Sequence, residues 1–220
     1  MSFEFLTEEL NIPVEKIYIT CFEGDKDCPK DETSANVWKE VGILEDHIYF
    51  FGKKENWWGP VGDFGPCGPD TEIFYDTGKE KCDKNCNPSC NCGKYVEIWN
   101  NVFMEFNKKE DGTYEELEQK NVDTGMGLER AALTFQGVDS VYEIEIFKPI
   151  MDKLEELSMG TEKVESSSAV KSHRIITDHL RSSMLLISDG VKPSNIDRRI
   201  CAKKANKKTS ETYEKHRNRH

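Results

Sequence analysis

The sequence predicts an α+β chain with a sheet-forming first half, a helical second half and a basic tail. Three observations predict it. Up to about residue 126, short runs rich in Ile, Val, Phe, Tyr and Trp alternate with clusters of Gly, Pro and Asp. From residue 141 onward the apolar residues recur every three or four positions instead. Residues 198–220 hold nine Lys or Arg against two acids, a balance of +7 that leaves −18 on the rest of a chain of formal charge −11.

The elements follow in order. A short helix is expected near residues 4–10, then a strand over 16–21, a helix near 35–41 and a strand over 47–51. Residues 56–70, dense in Gly and Pro, read as loop, and 71–75 as a short strand. Residues 94–107 are strand-rich, with Val96, Ile98, Val102, Phe103 and Phe106 on the apolar side. Glu97, Asn100 and Asn101 interrupt that run; polar groups are costly to bury unpaired, so they predict a sheet face that holds a ligand. Residues 127–136 read as helix. Val141, Ile144, Phe147, Ile150, Met151, Leu154 and Leu157 make an amphipathic stripe that belongs to a core. Residues 165–169 read as a linker or cap. Ile175, Ile176, Leu180, Met184, Leu185 and Ile187 form a last helix, closed by Asp189 and Gly190.

Two stretches carry chemistry. Residues 121–130 read N-V-D-T-G-M-G-L-E-R and lead into a helix. Gly125 and Gly127 lack a Cβ, which permits unusual dihedrals and close approach of a flat ligand. The opening helical turn offers free N–H groups, and Arg130 is a permanently charged fork that matches phosphate oxygens. Asp123 suits a cationic group such as an amine. The bland alternative is a glycine-rich turn with a surface arginine. The second stretch places Cys82, Cys86, Cys90 and Cys92 within eleven residues, among turn-forming Asp, Asn, Pro, Ser and Gly. Four thiolates can surround a soft tetrahedral ion, so a structural Zn2+ site is expected. Reduced free thiols or two disulfides are the alternatives, and disulfides suit the cytosol poorly. Cys21, Cys28 and Cys201 read as ordinary thiols, Cys67 as part of a loop, and His47, His216 and His220 as surface or tail.

Composition narrows the class. At 36% apolar and 32% charged, the chain has extended surface or faces that partners cover. No apolar run approaches a membrane span and no leader is expected, which predicts a soluble, cytoplasmic protein. The acidic body argues against non-specific nucleic-acid binding. The basic tail suits phosphates, or is a disordered end without apolar periodicity.

Three segments, G-P-C-G-P-D-T-E-I-F-Y-D at 65–76, E-I-W-N-N-V-F-M at 97–104 and V-D-T-G-M-G-L-E-R at 122–130, occur together and in order. Together they resemble the catalytic domain of alanyl-tRNA synthetases, a class II aminoacyl-tRNA synthetase family, over about residues 3–197. The resemblance implies a partial class II antiparallel sheet with flanking helices. It implies ATP-dependent activation of alanine, with Mg2+, and transfer to tRNA-Ala. Arg130 and Gly127 then bind ATP, while Asp123, Gly125, Asn100 and Trp58 line the amino-acid pocket, Trp58 with a register ambiguous by one residue. The implied domains are a partial aminoacylation domain at 1–138 with a Cys-rich insertion at 79–93, the start of a helical tRNA-recognition domain at 139–197, and a tail at 198–220. Motifs 1 and 2 of the family find no counterpart, and no arginine precedes Arg130. No catalytic set is complete, so the chain is expected to be inactive alone and to need a separate N-terminal catalytic fragment. His173 and His179 lie six apart and make no H-x-x-x-H pair, so editing is expected to be absent. The competing readings are a non-catalytic pseudo-synthetase or tRNA-binding module, and a zinc-stabilised interaction fragment.

Overall fold

The computed structural model describes residues 1–158 and 167–192. The expected basic tail, with Cys201, His216 and His220, lies outside them, as do the first two residues of the expected linker. The chain divides into two compact units, the first Met1–Phe135 and the second beginning at Gln136.

The first unit is built on a sheet of order β2-β1-β4-β5-β6, with β3 paired to β4. Its strands are β1 Ile17–Phe22, β2 Ile48–Phe51, β3 Trp57–Trp58, β4 Gly65–Asp76, β5 Tyr95–Lys108 and β6 Tyr114–Met126. All pairings are antiparallel except β1 with β2, which run parallel because helix α2 Glu32–Glu40 makes the crossover. The start of α2 is set by Asp31, whose carboxylate accepts the N–H of Ser34 at 2.9 Å. Helix α1 Ser2–Glu4 runs straight into a π-helical turn, Phe5–Glu9.

Alternation along the strands sorts side chains between two faces. Ile17, Ile19, Cys21, Ile73 and Ile98 point to one face and pack with Leu6, Ile12, Ala35, Trp38 and Ile43 from the helical layer. Each Ile or Leu among them, fully buried, contributes roughly 1.5–3 kcal/mol of hydrophobic stabilisation. The helical cover is partial. A groove of about 630 Å³ remains on this face, lined by Val37 and Trp38 of α2 and by Phe103 and Val122 of β5 and β6. The opposite face carries Tyr18 and Phe74, which cluster with Tyr95, Cys86 and Cys90, and the polar residues described below.

Four expectations change. The Gly-Pro-Cys-Gly-Pro run is not loop but the first half of β4, with its pairing to β5 irregular between Cys67 and Asp70. It is admitted to the sheet because Gly68 has no side chain: a Cβ there would lie 1.8 Å from the Phe103 carbonyl oxygen. Cys67 is accordingly a buried strand residue. His47 is not on the surface; its Nδ1 lies 2.9 Å from the Ile17 carbonyl and its ring stacks on Tyr18. Strand β6 runs through Met126, so residues 121–126 are strand rather than turn. Neither Gly125 nor Gly127 adopts a positive φ.

In the second unit the stripe from residue 141 is not one helix. A 3₁₀ turn, Val141–Glu143, precedes helix α4 Lys148–Ser158. Ile144, Phe147 and Leu154 are buried, but Leu157 is exposed. Helix α5 Ser167–Ser188 buries Ala169, Ile176 and Thr177, and the Thr177 hydroxyl donates to Met151 Sδ at 3.2 Å. Gly190 at φ +84° ends it, with Gly190 N–H on the Ile187 carbonyl and Val191 N–H on that of Leu186. Leu180, Met184, Leu185 and Ile187 are exposed rather than core. Among the described residues no helix is long and apolar enough to cross a membrane.

Candidate functional site

The register of the central strands lines up two rows of residues across one sheet face. Thr20 pairs with Glu72, Glu72 with Asn100, and Asn100 with Gly125. One step along, Asp70 pairs with Val102 and Val102 with Asp123. Gly125 leaves space beside Asn100: a Cβ there would stand 3.7 Å from Asn100 Oδ1. The next strand neighbours on the other face rivet β5 to β6. Trp99 Nε1 donates to the Thr124 hydroxyl at 2.6 Å, and that hydroxyl donates to Asn101 Oδ1 at 2.8 Å.

Arg130 reaches the same region from the first turn of helix α3, Leu128–Gln136. Its Nη1 pairs with the Glu97 carboxylate and donates to the Glu97 carbonyl, folding the guanidinium back over β5 while half the side chain stays exposed. Gly127 permits this path, since a Cβ there would come 3.3 Å from Arg130 Cδ. Its role is space for the arginine, not backbone strain. The Gly127 N–H is already used by the Ile98 carbonyl at 2.9 Å.

Behind these residues sits a polar group that sequence reasoning left unassigned. Asn56 is fully buried, and its Nδ2 donates to the Thr20 hydroxyl at 2.8 Å and to Asp70 Oδ1 at 3.2 Å. The Thr20 hydroxyl in turn donates to Glu72 at 3.5 Å. Burial pushes the Asp70 carboxyl up to about 7; the Asn56 amide opposes the rise and the nearby Glu97 charge adds to it. Burial, then the charges of Glu97 and Asp70, push Glu72 up to about 8, against the pull of Thr20 and Arg130. A signal for Glu72 was present, an acid beside the apolar run Ile73–Tyr75 of a predicted strand, whereas Asp70 fell in the stretch that reads as loop and gave none.

The sheet thus brings Asn100, Gly125 and Asp123 into adjacent rows and sets Arg130 beside Glu97. Asp123 is exposed, and Trp58 lies at the margin, paired with Gly68 on β3 and making none of these contacts. The groove on the helical face shares no residue with this group. Chemically, the face offers one guanidinium, a ladder of carboxylates and amides, and a gap at a glycine. That combination suits a ligand bearing both an anion and an amine.

The cysteine loop lies between β4 and β5. The sulfurs of Cys82, Cys86 and Cys90 all fall within 4.8 Å of one another and can hold a metal ion. Cys92 is not in that mutual group, but its sulfur is 3.7 Å from that of Cys86. Cys21 and Cys28 are buried, with thiol pKa values raised by burial, the latter to about 11.

The face is a strand ladder whose last strand leads directly into the helix that carries Arg130, and the comparison with protein families gives the chain its class. The profile described as "tRNA synthetases class II (A)" matches residues 1–206, and the chain belongs to that family. Among curated proteins it is 52% identical over 199 residues to the alanine–tRNA ligase of Treponema denticola, covering 89% of this chain and 33% of the relative. The alanine–tRNA ligase of Borrelia hermsii gives the same figures, and that of Clostridioides difficile is 45% identical over 197 residues, 88% of this chain and 21% of the relative. The chain spans about a third of the length of the first two.

Proposed function

We propose that this chain supplies the motif 3 side of the ATP and alanine site of an alanine–tRNA ligase. The observation that carries the reading is the coincidence, on one sheet face, of the Asn100–Gly125 pair, the Asp123 row and the Arg130–Glu97 contact. In this reading Arg130 takes ATP phosphate oxygens, with Gly127 giving its side chain room. Asp123 holds the alanine ammonium, Asn100 and Gly125 shape the space for the methyl group, and Trp58 closes the margin. Mg2+ accompanies ATP, and tRNA-Ala is the acceptor. Residues 1–138 serve as the aminoacylation part, 139–197 begin a tRNA-recognition part, and 198–220 form the basic tail. Zinc at Cys82, Cys86, Cys90 and Cys92 is structural. The setting is cytoplasmic.

Adenylate formation is largely positioning and stabilisation of phosphate charge. Arg130 is the first arginine in the sequence, and no second arginine accompanies it on this sheet face among the described residues. The test is ATP–pyrophosphate exchange with alanine, by the chain alone and with the upstream catalytic segment of a relative added separately. Exchange is expected only in the mixture. A mixture that neither exchanges nor binds ATP sinks the enzyme reading. A tRNA mobility shift without any ATP binding would favour a tRNA-binding module instead.

A further inference from the structure

The loop joining β4 to β5 contains a repeat made visible by its hydrogen bonds. Residues 82–86 and 86–90 fold as the same turn, twice. In the first, Asp83 Oδ1 accepts the Asn85 N–H at 2.6 Å and the Asp83 carbonyl accepts the Cys86 N–H at 3.2 Å. In the second, Asn87 Oδ1 accepts the Ser89 N–H at 2.9 Å and the Asn87 carbonyl accepts the Cys90 N–H at 3.0 Å. Asp and Asn are the residues whose side chains stabilise such turns. Equal four-residue steps bring successive thiols to one side, which is why residues 82, 86 and 90 converge.

The ends of the loop are fastened independently. Thr77 Oγ1 donates to the carbonyls of Gly93 and Lys94 at 2.9 and 3.0 Å. Lys94 is buried, and its Nζ donates to both Asp76 oxygens at 2.9 and 3.0 Å and to the Lys79 carbonyl at 2.9 Å. Cys86 is buried against Phe74 and Tyr95, but the rest of the loop contributes no large apolar side chain to a core. Hydrogen bonds fix its turns and its ends, and hydrophobic burial adds little between them.

Sulfur spacing suits a further constraint at the middle of the loop. Zinc–sulfur bonds of about 2.3 Å in a tetrahedron set sulfurs about 3.8 Å apart, whereas a disulfide needs about 2.05 Å. The Cys86–Cys92 separation of 3.7 Å matches such an edge, and Cys82, Cys86 and Cys90 lie within 4.8 Å of one another, while Cys92 stands farther than that from at least one of them. We infer that the loop is a zinc site in which three converging thiolates are joined by Cys92, which swings in from its contact with Cys86 as the fourth ligand, and that the ion clamps the β4–β5 junction. Phe74, which packs on Cys86, borders the register shift at which it faces Glu97, the partner of Arg130. The clamp therefore ends one step from the candidate site. This deepens the structural-zinc part of the proposed function, and its test does not depend on ATP or alanine.

The experiment is metal analysis and zinc-edge X-ray absorption on the full chain purified under reducing conditions, with Cys82→Ser and Cys92→Ser, both at exposed positions. Wild type should retain one zinc with four sulfurs at about 2.3 Å. Cys92→Ser should show three sulfurs and one lighter atom, and bind zinc at least about tenfold more weakly against a chelating dye. Amide exchange should rise at residues 74–76 and 94–97 when zinc is stripped from wild type. An unchanged sulfur count in Cys92→Ser removes that residue from the site. Folded wild type that neither carries zinc nor takes it up on dialysis, or carries another ion, overturns the assignment. Stripping that leaves exchange at 74–76 and 94–97 unaltered overturns the clamp.

Discussion

The two faces of the central sheet are made from the same strands and differ in what they were built to do. On one, Ile17, Ile19, Ile73 and Ile98 meet a helical layer and are closed to water. On the other stand Thr20, Asp70, Glu72 and Asn100, and burial forces two of these carboxyls far above their usual range. A fold has no stability reason to place two raised carboxyls beside a third acid. Perturbed acids of this kind concentrate at functional sites, which is the reason this face is the candidate. The helical face holds the unit together, and the polar face is free to be costly.

The comparison can be broken in four ways, from the largest effect down. Ile73→Ala should cost about 2–5 kcal/mol in chemical denaturation, because it opens a cavity in the helical-face core. Arg130→Gln should lower reconstituted ATP–pyrophosphate exchange about 100- to 1000-fold, while shifting the unfolding free energy by no more than about 0.5 kcal/mol. If instead the arginine change unfolds the unit, the division of labour between the faces is wrong. Gly68→Ala forces a methyl group into the Phe103 carbonyl and should cost about 1–3 kcal/mol, read as a lower thermal midpoint.

The last effect is pH. Asp70 and Glu72 titrate higher in the folded chain, so the native state holds more protons than the unfolded state between the ordinary carboxylate range and about 8. Stability should therefore fall as pH rises through that window, by at most about 1.4 kcal/mol per group per pH unit. Glu72→Gln keeps a neutral side chain at every pH, and thermal midpoints measured from pH 6 to pH 8 (roughly the upper half of that window) should flatten. A midpoint that climbs with pH in the wild type would contradict the burial of these carboxyls.

Much of this was legible along the chain. Ile, Val, Phe and Tyr runs marked β1, β2 and the core of β5, and the three-to-four-residue recurrence marked the helical second unit. The polar interruptions at Glu97 and Asn100 fell on one polar sheet face while Asn101 turned to the other, and the closely spaced cysteines fell in one loop where three thiols converge. What failed failed for particular reasons. Gly and Pro at 65–69 read as loop because propensity knows nothing of Phe103, whose carbonyl lies against Gly68 and admits only a glycine strand. Gly125 and Gly127 read as a turn because a missing Cβ has the same letter whether it frees the backbone or makes room for Asn100 and Arg130. Asn56 gave no local sign at all, since its partners Thr20 and Asp70 are distant in sequence.

The order of elements, the division into a sheet-rich and a helical half, and the inventory of chemical groups were determined by local pattern, because periodicity and turn chemistry act over a few residues. The tertiary structure alone decided which acids share a face, that Arg130 folds back onto Glu97, and that two four-residue turns gather the thiols of residues 82–90 with Cys92 at 3.7 Å from Cys86. The thiols are gathered by turns within one loop, but the placing of the acids and of Glu97 depends on strand register, and a shift of one residue would send each of those side chains to the other face.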